Sequence, residues 1–590
     1  MAKSTKRVPP RTGAQCIIDG LLKAGCDTLF AYPGGQIIDT FDALFHAKGI
    51  HVILARHEQG LVHEADGYAR ATGKVGCCLV TSGPGATNTV TGLATAHMDG
   101  VPLVCIAGQV PLSLIGNDAF QEADTTGITR SVTKHNYLVK SVDELPHIIA
   151  EAFFVAKTGK PGPVLIDVPK DVQRALTDRP SESPDEIDIP SYTPFLKPDP
   201  DQLTLLANVL NRAHRPVLYV GGGAFPSDAS RAIADLAHAA DIPVITTLMG
   251  LGAFPQNDPL SLGMVGMHGT AAANRAVCEC DFILSAGARF DDRVIGKASE
   301  FARGATVAHI DIDDSAIGKS IPTDIRLLSD LKTALEALLP LVKKNPRRQE
   351  WIERTAQWKR KFPYQLPKES TPIKPQRAIK AIDLVTRGDA IIVTDVGQHQ
   401  MWAAQFYTYT KPRTYLSSGG LGTMGFGIPA AIGAQLGCPT RKVVSISGDG
   451  GAQMNFQELV VAVEHRLPIV FIILNNTYLG MVRQWQQLFY GKRYSSVALG
   501  QKGRHPLEEI PDNPRSPYLP DFVKLAEAHG ALAERAFTEK ELCHALRKAL
   551  KASQPTVIEC IVEPEENVFP MVPPGMPLSE MVFDDNHLGA

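Results

Sequence analysis

The 590-residue chain is poor in cysteine. Its 10 cysteines (16, 26, 77, 78, 105, 278, 280, 438, 543 and 560) are scattered, with no C-x-x-C pair or Cys/His cluster at zinc-ligand spacing. That excludes a disulfide-stapled module and reads as buried thiols in a reducing compartment. No charge of one sign dominates: 59 Lys+Arg against 62 Asp+Glu leave a net charge of −3, which fits neither a nucleic-acid binder nor an acidic disordered chain. Long apolar runs are missing as well. The longest, from Leu467 to Leu474 and containing Pro468, falls far short of the roughly 18 residues that span a bilayer. Lys3, Lys6, Arg7 and Arg11 give a basic N-terminus without an acidic residue. The amphipathic stretch from Gln15 to Phe30 then stands where a secretory signal needs a continuous apolar segment. A cytoplasmic protein is expected, and any transit peptide would be very short.

With 44% hydrophobic and 21% charged residues the composition is that of a globular protein, and the length suits about three or four domains. Two stretches interrupt an alternation of short apolar strands and helical periodicity. The first, 179–200, carries Pro180, Pro184, Pro190, Pro194, Pro198 and Pro200 and reads as a linker. The second, 345–376, mixes a charged helical segment, Glu350 to Lys361, with Pro363, Pro367, Pro372 and Pro375. The basic residues Arg354, Lys359, Arg360 and Lys361 read as its solvated face. Three α/β segments remain, 1–178, 201–344 and 377–562, followed by a Pro/Met/Gly-rich tail, 563–590.

The first and third segments resemble each other. Cys78-Leu79-Val80-Thr81-Ser82-Gly83-Pro84-Gly85 parallels Val443-Val444-Ser445-Ile446-Ser447-Gly448-Asp449-Gly450, and Val101-Pro102-Leu103-Val104 parallels Leu467-Pro468-Ile469-Val470. The offset is 365 at Ser82/Ser447 and 366 at Val101/Leu467. This pattern predicts a duplicated, doubly wound parallel-sheet domain flanking an unlike middle one.

Chemistry concentrates where strands end. Gly448-Asp449-Gly450 closes an apolar strand, and a second buried strand, Ile469 to Leu474, ends in Asn475-Asn476. If the strands are adjacent and parallel, Asp449 and Asn476 supply two oxygens at one sheet edge, the complement that Mg²⁺ takes beside phosphate and water. Taken singly, the first motif is equally a turn and the second a strand cap; the pair at matched strand ends favours the metal. In the middle segment, Gly221-Gly222-Gly223 ends a strand and is as compatible with a tight turn as with a nucleotide.

G-D-G followed by 24 residues and N-N is the thiamin-diphosphate motif, and with it the sequence resembles the acetohydroxyacid (acetolactate) synthase large catalytic subunits. The resemblance spans nearly the whole chain. It is carried by Phe30-Ala31-Tyr32-Pro33-Gly34-Gly35, Arg56-His57-Glu58-Gln59-Gly60, Thr81 to Asn88, Gly108-Gln109-Val110-Pro111, Asp118 to Glu122, Thr133-Lys134-His135-Asn136, Arg289 to Val294, Gly420 to Gly425 and Gly480 to Trp485.

The resemblance implies a thiamin-diphosphate-binding fold with a nucleotide-binding-like middle domain, and thiamin diphosphate, Mg²⁺ and FAD as cofactors. Glu58, by itself one more acid at a helix start, becomes the catalytic residue that bonds the aminopyrimidine. Asp449, Asn476 and the Tyr478 carbonyl become metal ligands. Gln398, His399, Gly450 and Gly451 hold the diphosphate, Gly422 and Met424 meet the pyrimidine side and set the bent cofactor shape, and Met481 and Val482 line the ring. Gly223, Thr247, Leu248, Met267, His268, Gly287, Arg289, Asp291, Arg293, Asp311 and Asp330 match FAD-contacting positions. Lys160 stands near the flavin where relatives often carry arginine.

The implied reaction decarboxylates pyruvate and passes the two-carbon unit to a second pyruvate or to 2-oxobutanoate, the first common step toward valine, leucine and isoleucine. Arg293 suits the acceptor carboxylate, and Trp485 forms a wall that favours the extra methylene, worth about 1–3 kcal/mol. Phe120, Gln121, Lys134 and Lys170 complete the pocket and its entrance. A homodimer or homotetramer with a separate small regulatory subunit is implied. The alternatives are a flavin-free catabolic synthase, a pyruvate oxidase, or a scaffold that has lost catalysis. The stretch 495–518 is longer and richer in proline than the family pattern.

Overall fold

The computed structural model describes residues 9–499 and 520–584. From residue 500 onward the long Pro-rich stretch lies outside the described residues, as do Lys3, Lys6, Arg7 and the end of the tail. Three six-stranded, all-parallel sheets organise the chain. In the first, the strands lie in the order His51–Leu54, Thr28–Ala31, Gly76–Val80, Leu103–Gln109, Pro163–Pro169 and His135–Leu138. In the third, Tyr415–Leu416, Ile391–Thr394, Val443–Gly448, Val470–Asn475, Thr556–Ile561 and Leu532–Ala536 occupy the same six places in the same sequential order, second, first, third, fourth, sixth, fifth. The two stretches that resemble each other in sequence thus form the third strand of each sheet. The middle sheet, built from Pro216–Val220, Val244–Thr246, Ser261–Met264, Phe282–Ala286, Thr306–Asp311 and Ile325–Leu328, runs third, second, first, fourth, fifth, sixth. That is the order of doubly wound dinucleotide-binding sheets. Near-continuous apolar runs make these strands because helices cover both faces of a parallel sheet. Val80, Leu103, Val217, Ile446 and Ile472 are all fully buried.

By compactness the chain falls into two units. One holds the described residues up to Pro194 with Gly420–Pro439 and Asn455–His465; the other holds Phe195–Gly419, Thr440–Met454 and the described residues from Arg466 onward. Inside the first unit the helix Gly427–Gly437 lies against the helix Glu58–Thr72 at backbone distance, because a Cβ at Gly433 would sit 1.7 Å from the Glu64 carbonyl. Both helices are buried along nearly their whole lengths.

In the second unit the helix Gln349–Lys361 docks on the middle sheet. Trp351 donates its indole N–H to the Pro216 carbonyl at 3.0 Å, and Lys359 reaches the Ser261 carbonyl at 2.8 Å. Lys359 therefore does more than line a solvated face. Just before this helix, the wholly buried Arg348 guanidinium donates to the carbonyls of Leu210, Ala213 and Ala240. It thereby satisfies the carbonyl ends of the helices Pro200–Arg212 and Ser230–Ala240, where the helix dipoles favour a cation. Pro200, at the close of the first Pro-rich stretch, starts a helix, a position where its missing N–H is harmless.

Candidate active site

In the first unit, Glu58 is the opening residue of the helix Glu58–Thr72. His57 caps that helix in an extended conformation, its ring nitrogen Nδ1 accepting from the Gln59 N–H at 3.1 Å. The Glu58 carboxylate accepts from the Asn88 side chain at 3.0 Å, which leaves lone pairs for another donor. Gly422 and Met424 belong to the same unit. Their loop is fixed by the Gly420 N–H on the Asp99 carboxylate at 2.7 Å and by the hydroxyls of Thr423 and Thr95 at 2.7 Å. The residues expected on the pyrimidine side are thus gathered in one compact body.

The remaining expected residues of this unit are more dispersed. Phe120 is 85% exposed, and Gln121 takes a positive φ of 60° against Gly83. Lys170 donates to the Gly35 carbonyl at 2.7 Å. Lys134 turns inward. Its ammonium donates to the carbonyls of Val155 and Thr158, both at 2.6 Å, and to the Tyr192 hydroxyl at 3.0 Å, so it closes a helix end, and burial lowers its pKa to about 8. Lys160 follows the helix Leu145–Lys157.

In the second unit, Val443–Gly448 and Val470–Asn475 are adjacent and parallel, with Gly448 in register with Leu474. Asp449 and Asn476 therefore leave the same sheet edge, Asp449 one position beyond Gly448 and Asn476 two beyond Leu474. Both are buried. Asn476 accepts from the Tyr478 N–H at 3.1 Å and Asn475 from the Thr477 N–H at 3.0 Å, which bends the chain so that Thr477 adopts a φ of 58°. A β-branched residue in that region stores strain, and such strain is found at binding turns. Burial raises the Asp449 carboxyl to about 7 although backbone N–H groups oppose the shift. A buried carboxylate and a buried amide oxygen at one strand edge are the hard oxygen donors that a divalent ion takes.

Around this edge, side chains occupy space that a Cβ would fill. At Gly480 a Cβ would lie 2.2 Å from the Gln398 side-chain oxygen and 2.7 Å from the Asn476 amide nitrogen; at Gly448 it would lie 2.9 Å from the His399 ring. Gln398 also donates to the Gln484 side chain at 2.8 Å and to the Glu566 carbonyl at 2.9 Å. Buried Arg483 donates to Glu566 and Asn567, and Gln484 accepts from the Val568 N–H at 2.8 Å. Burial depresses the His399 imidazole to about 4, so a neutral ring faces the edge. Gly450 and Gly451 follow Asp449 in the short helix Asp449–Ala452. Met481, Val482 and Trp485 lie on the helix Gly480–Phe489, with Val482 half exposed. The ring of Trp485 lies 5.6 Å from the Arg293 guanidinium, a cation–π distance. Gln484, Arg483 and Glu566 escape a reading by strand ends because they act from a helix face and the tail.

The FAD-matching positions in this unit lie at or just beyond the C-terminal ends of the middle strands, Asp311 being the last residue of its own. Gly223 and Gly287 flank the place where strand order reverses, the crevice in which such sheets bind ligands. The Gly223 N–H donates to the Gly287 carbonyl at 3.0 Å, and a Cβ on Gly223 would lie 2.9 Å from the Gly287 Cα. The Thr247 hydroxyl accepts from Gly250 at 2.9 Å, above Leu248. Met267 donates its N–H to the Arg293 carbonyl at 2.8 Å, and His268 is buried, its imidazole lowered to about 4. Arg289 pairs with Asp291, whose other oxygen accepts from the Arg293 N–H at 2.9 Å; Arg293 approaches Asp292 at 3.8 Å. The Asp311 carboxylate accepts from Asp313 at 2.9 Å, whereas that of Asp330 caps the helix Leu331–Leu338 and binds Ser227 at 2.6 Å. A side-chain-free glycine crevice at the strand reversal is what a dinucleotide pyrophosphate requires.

Known proteins resemble the chain along nearly its whole length. Thiamine pyrophosphate enzyme family models match in order: the N-terminal TPP binding domain over residues 11–128, the central domain over 203–338 and the C-terminal TPP binding domain over 395–560. They define the class, a thiamin-diphosphate-dependent enzyme of three α/β domains. The chain is 45% identical over 581 residues to the acetolactate synthase large subunit of Lactococcus lactis subsp. lactis, covering 98% of this chain and 97% of the relative. It is 44% identical over 580 residues to that of Porphyra purpurea (97% and 95%) and 43% over 578 residues to that of Haemophilus influenzae (97% and 98%). It therefore belongs to the acetolactate synthase large-subunit family. Among the described residues no helix is long and apolar enough to cross a membrane.

Proposed function

We propose that the chain decarboxylates pyruvate and joins the two-carbon unit to a second 2-oxo acid, giving 2-acetolactate from pyruvate or 2-aceto-2-hydroxybutanoate from 2-oxobutanoate. The observation that carries this reading is the pairing of Asp449 with Asn476 at register-matched ends of neighbouring parallel strands. Asp449, Asn476 and the Tyr478 carbonyl would hold Mg²⁺. Gln398, His399, Gly450 and Gly451 would surround the diphosphate, and Gly422, Met424, Met481 and Val482 the rings. Thiamin diphosphate supplies the carbanion-stabilising chemistry when bound.

The chain's own work is orientation and proton handling. Glu58, held by Asn88, keeps a carboxylate oxygen for a ring nitrogen and exchanges a proton there. Neutral His399 leaves the phosphates to backbone and metal. Arg293, stacked on Trp485, receives the acceptor carboxylate, and Trp485 favours the longer acceptor. Phe120, Gln121, Lys134 and Lys170 would complete the pocket and its entrance. The middle-sheet crevice, with Lys160, would take FAD. A homodimer or homotetramer with a small regulatory subunit in the cytoplasm, and domain limits at 178, 200, 344, 376 and 562, complete the reading.

The test is incubation of the purified chain with pyruvate, thiamin diphosphate, Mg²⁺ and FAD, with 2-oxobutanoate in competition, and quantification of both acetohydroxy acids. Dominance of the 2-oxobutanoate product is expected. Acetolactate alone with no bound flavin would move the protein to the catabolic branch, and no acetohydroxy acid at all would overturn the proposal.

A further inference from the structure

A pair of carboxyls is buried in the same unit as Glu58. Glu64, one and a half turns along the same helix, and Glu458, in the turn Phe456–Glu458, are both wholly buried with neighbouring carboxyls. One Glu458 oxygen, Oε2, accepts from the Arg56 N–H at 2.9 Å, and the carboxyl also faces the His57 N–H. Its Oε1 and both Glu64 oxygens meet no N–H or hydroxyl donor among the described residues. Among the described residues, the charged or titratable groups bearing on the pair are the Arg56 guanidinium, which points away to the Leu54 carbonyl and Glu464, and the Cys78 thiol. Two ionised carboxylates cannot be buried together without cations, whereas a carboxylic acid bonded to a carboxylate can. Gly60 makes the room: a Cβ there would lie 2.6 Å from Glu458 Oε1.

The first N–H groups of a helix have no partner within it, so the direction in which Glu58 leaves the backbone depends on whatever holds residues 56–58. We propose that Glu458 is a positioning residue for Glu58: one oxygen clamps the Arg56–His57 backbone, and the other shares a proton with Glu64. Because this rests on Glu58 being the proton-handling group, its test separates the two ideas.

Amide hydrogen exchange on the full-length chain reads the clamp without cofactor or turnover. Glu458→Ala should speed exchange at Arg56 and His57 at least about tenfold while the middle of the helix stays protected. It should also lower kcat for acetolactate formation at least about thirtyfold, with the half-saturating thiamin diphosphate concentration changed less than about threefold. Glu458→Gln keeps an acceptor for Arg56 and offers an amide donor to Glu64, so it should restore both readouts. Gly60→Ala displaces Glu458 without removing it and should reproduce the Glu458→Ala pattern. Unchanged exchange at Arg56 and His57 in Glu458→Ala, full kcat in a variant whose exchange has risen, or failure of Glu458→Gln to restore protection overturns the proposal. Glu58→Gln, measured alongside, should keep wild-type exchange; normal turnover in it would instead remove the catalytic reading of Glu58.

Discussion

The first and third sheets share one strand order, yet the same topological places carry opposite chemistry. After the third strand, the first sheet continues into Ser82-Gly83-Pro84-Gly85 with no acid, and the third into Gly448-Asp449-Gly450. After the second strand, the first sheet leads to Arg56-His57-Glu58, and the third to the glycine-rich loop before Gly422. One copy carries the carboxylate of Glu58, the other that of Asp449 beside Asn476. The middle sheet, with a different order, opens its crevice where Gly223 meets Gly287. A shared backbone plan thus fixes where loops emerge but not what they do.

Substitutions can break that division of labour. The largest effect is expected from Glu58→Gln, with kcat lowered about 10²–10⁴-fold and thiamin diphosphate binding retained, checked by turnover against titration calorimetry. Asp449→Ala, its counterpart in the third sheet, should instead lower Mg²⁺-dependent cofactor affinity about 100-fold or more in the same calorimetry. If both variants lost binding equally, the two copies would not be specialised. Trp485→Ala should cut the preference for 2-oxobutanoate over pyruvate by about tenfold or more, read from product ratios in competition.

A last effect, on stability rather than turnover, concerns a feature both copies share, a buried uncharged imidazole. His63, packed on Phe426 with neither nitrogen bonded, is pushed down to about 3 by burial. Since its folded pKa lies below the unfolded value near 6.5, its contribution is complete above that value and falls as pH drops. At pH 5 about 2 kcal/mol should be lost relative to pH 8, and His63→Leu should show a correspondingly flatter pH dependence in denaturant unfolding.

The strand-end residues were legible in the sequence because a glycine-flanked acid or a paired asparagine after an apolar run marks a sheet edge by its spacing. Asp449 and Asn476 were found on that ground, and the repeat between Cys78–Gly85 and Val443–Gly450 anticipated the common strand order. Glu58 had no such signature and came into view only through the family pattern. The family pattern named Lys134 but gave no sign that its ammonium would donate to helix-end carbonyls. Glu64, Glu458 and Arg348 were illegible for a physical reason: each is a charged residue type whose ordinary place is the surface, and only long-range packing puts it inside.

The tail has a consequence in time. The Glu566 carbonyl and the Val568 amide that fix Gln398, Arg483 and Gln484 are made after every strand of the three sheets. During synthesis the third sheet can form while its Asp449–Asn476 edge still lacks these anchors, so assembly of the framework and completion of that edge are separate events, the second waiting on the last stretch of polypeptide.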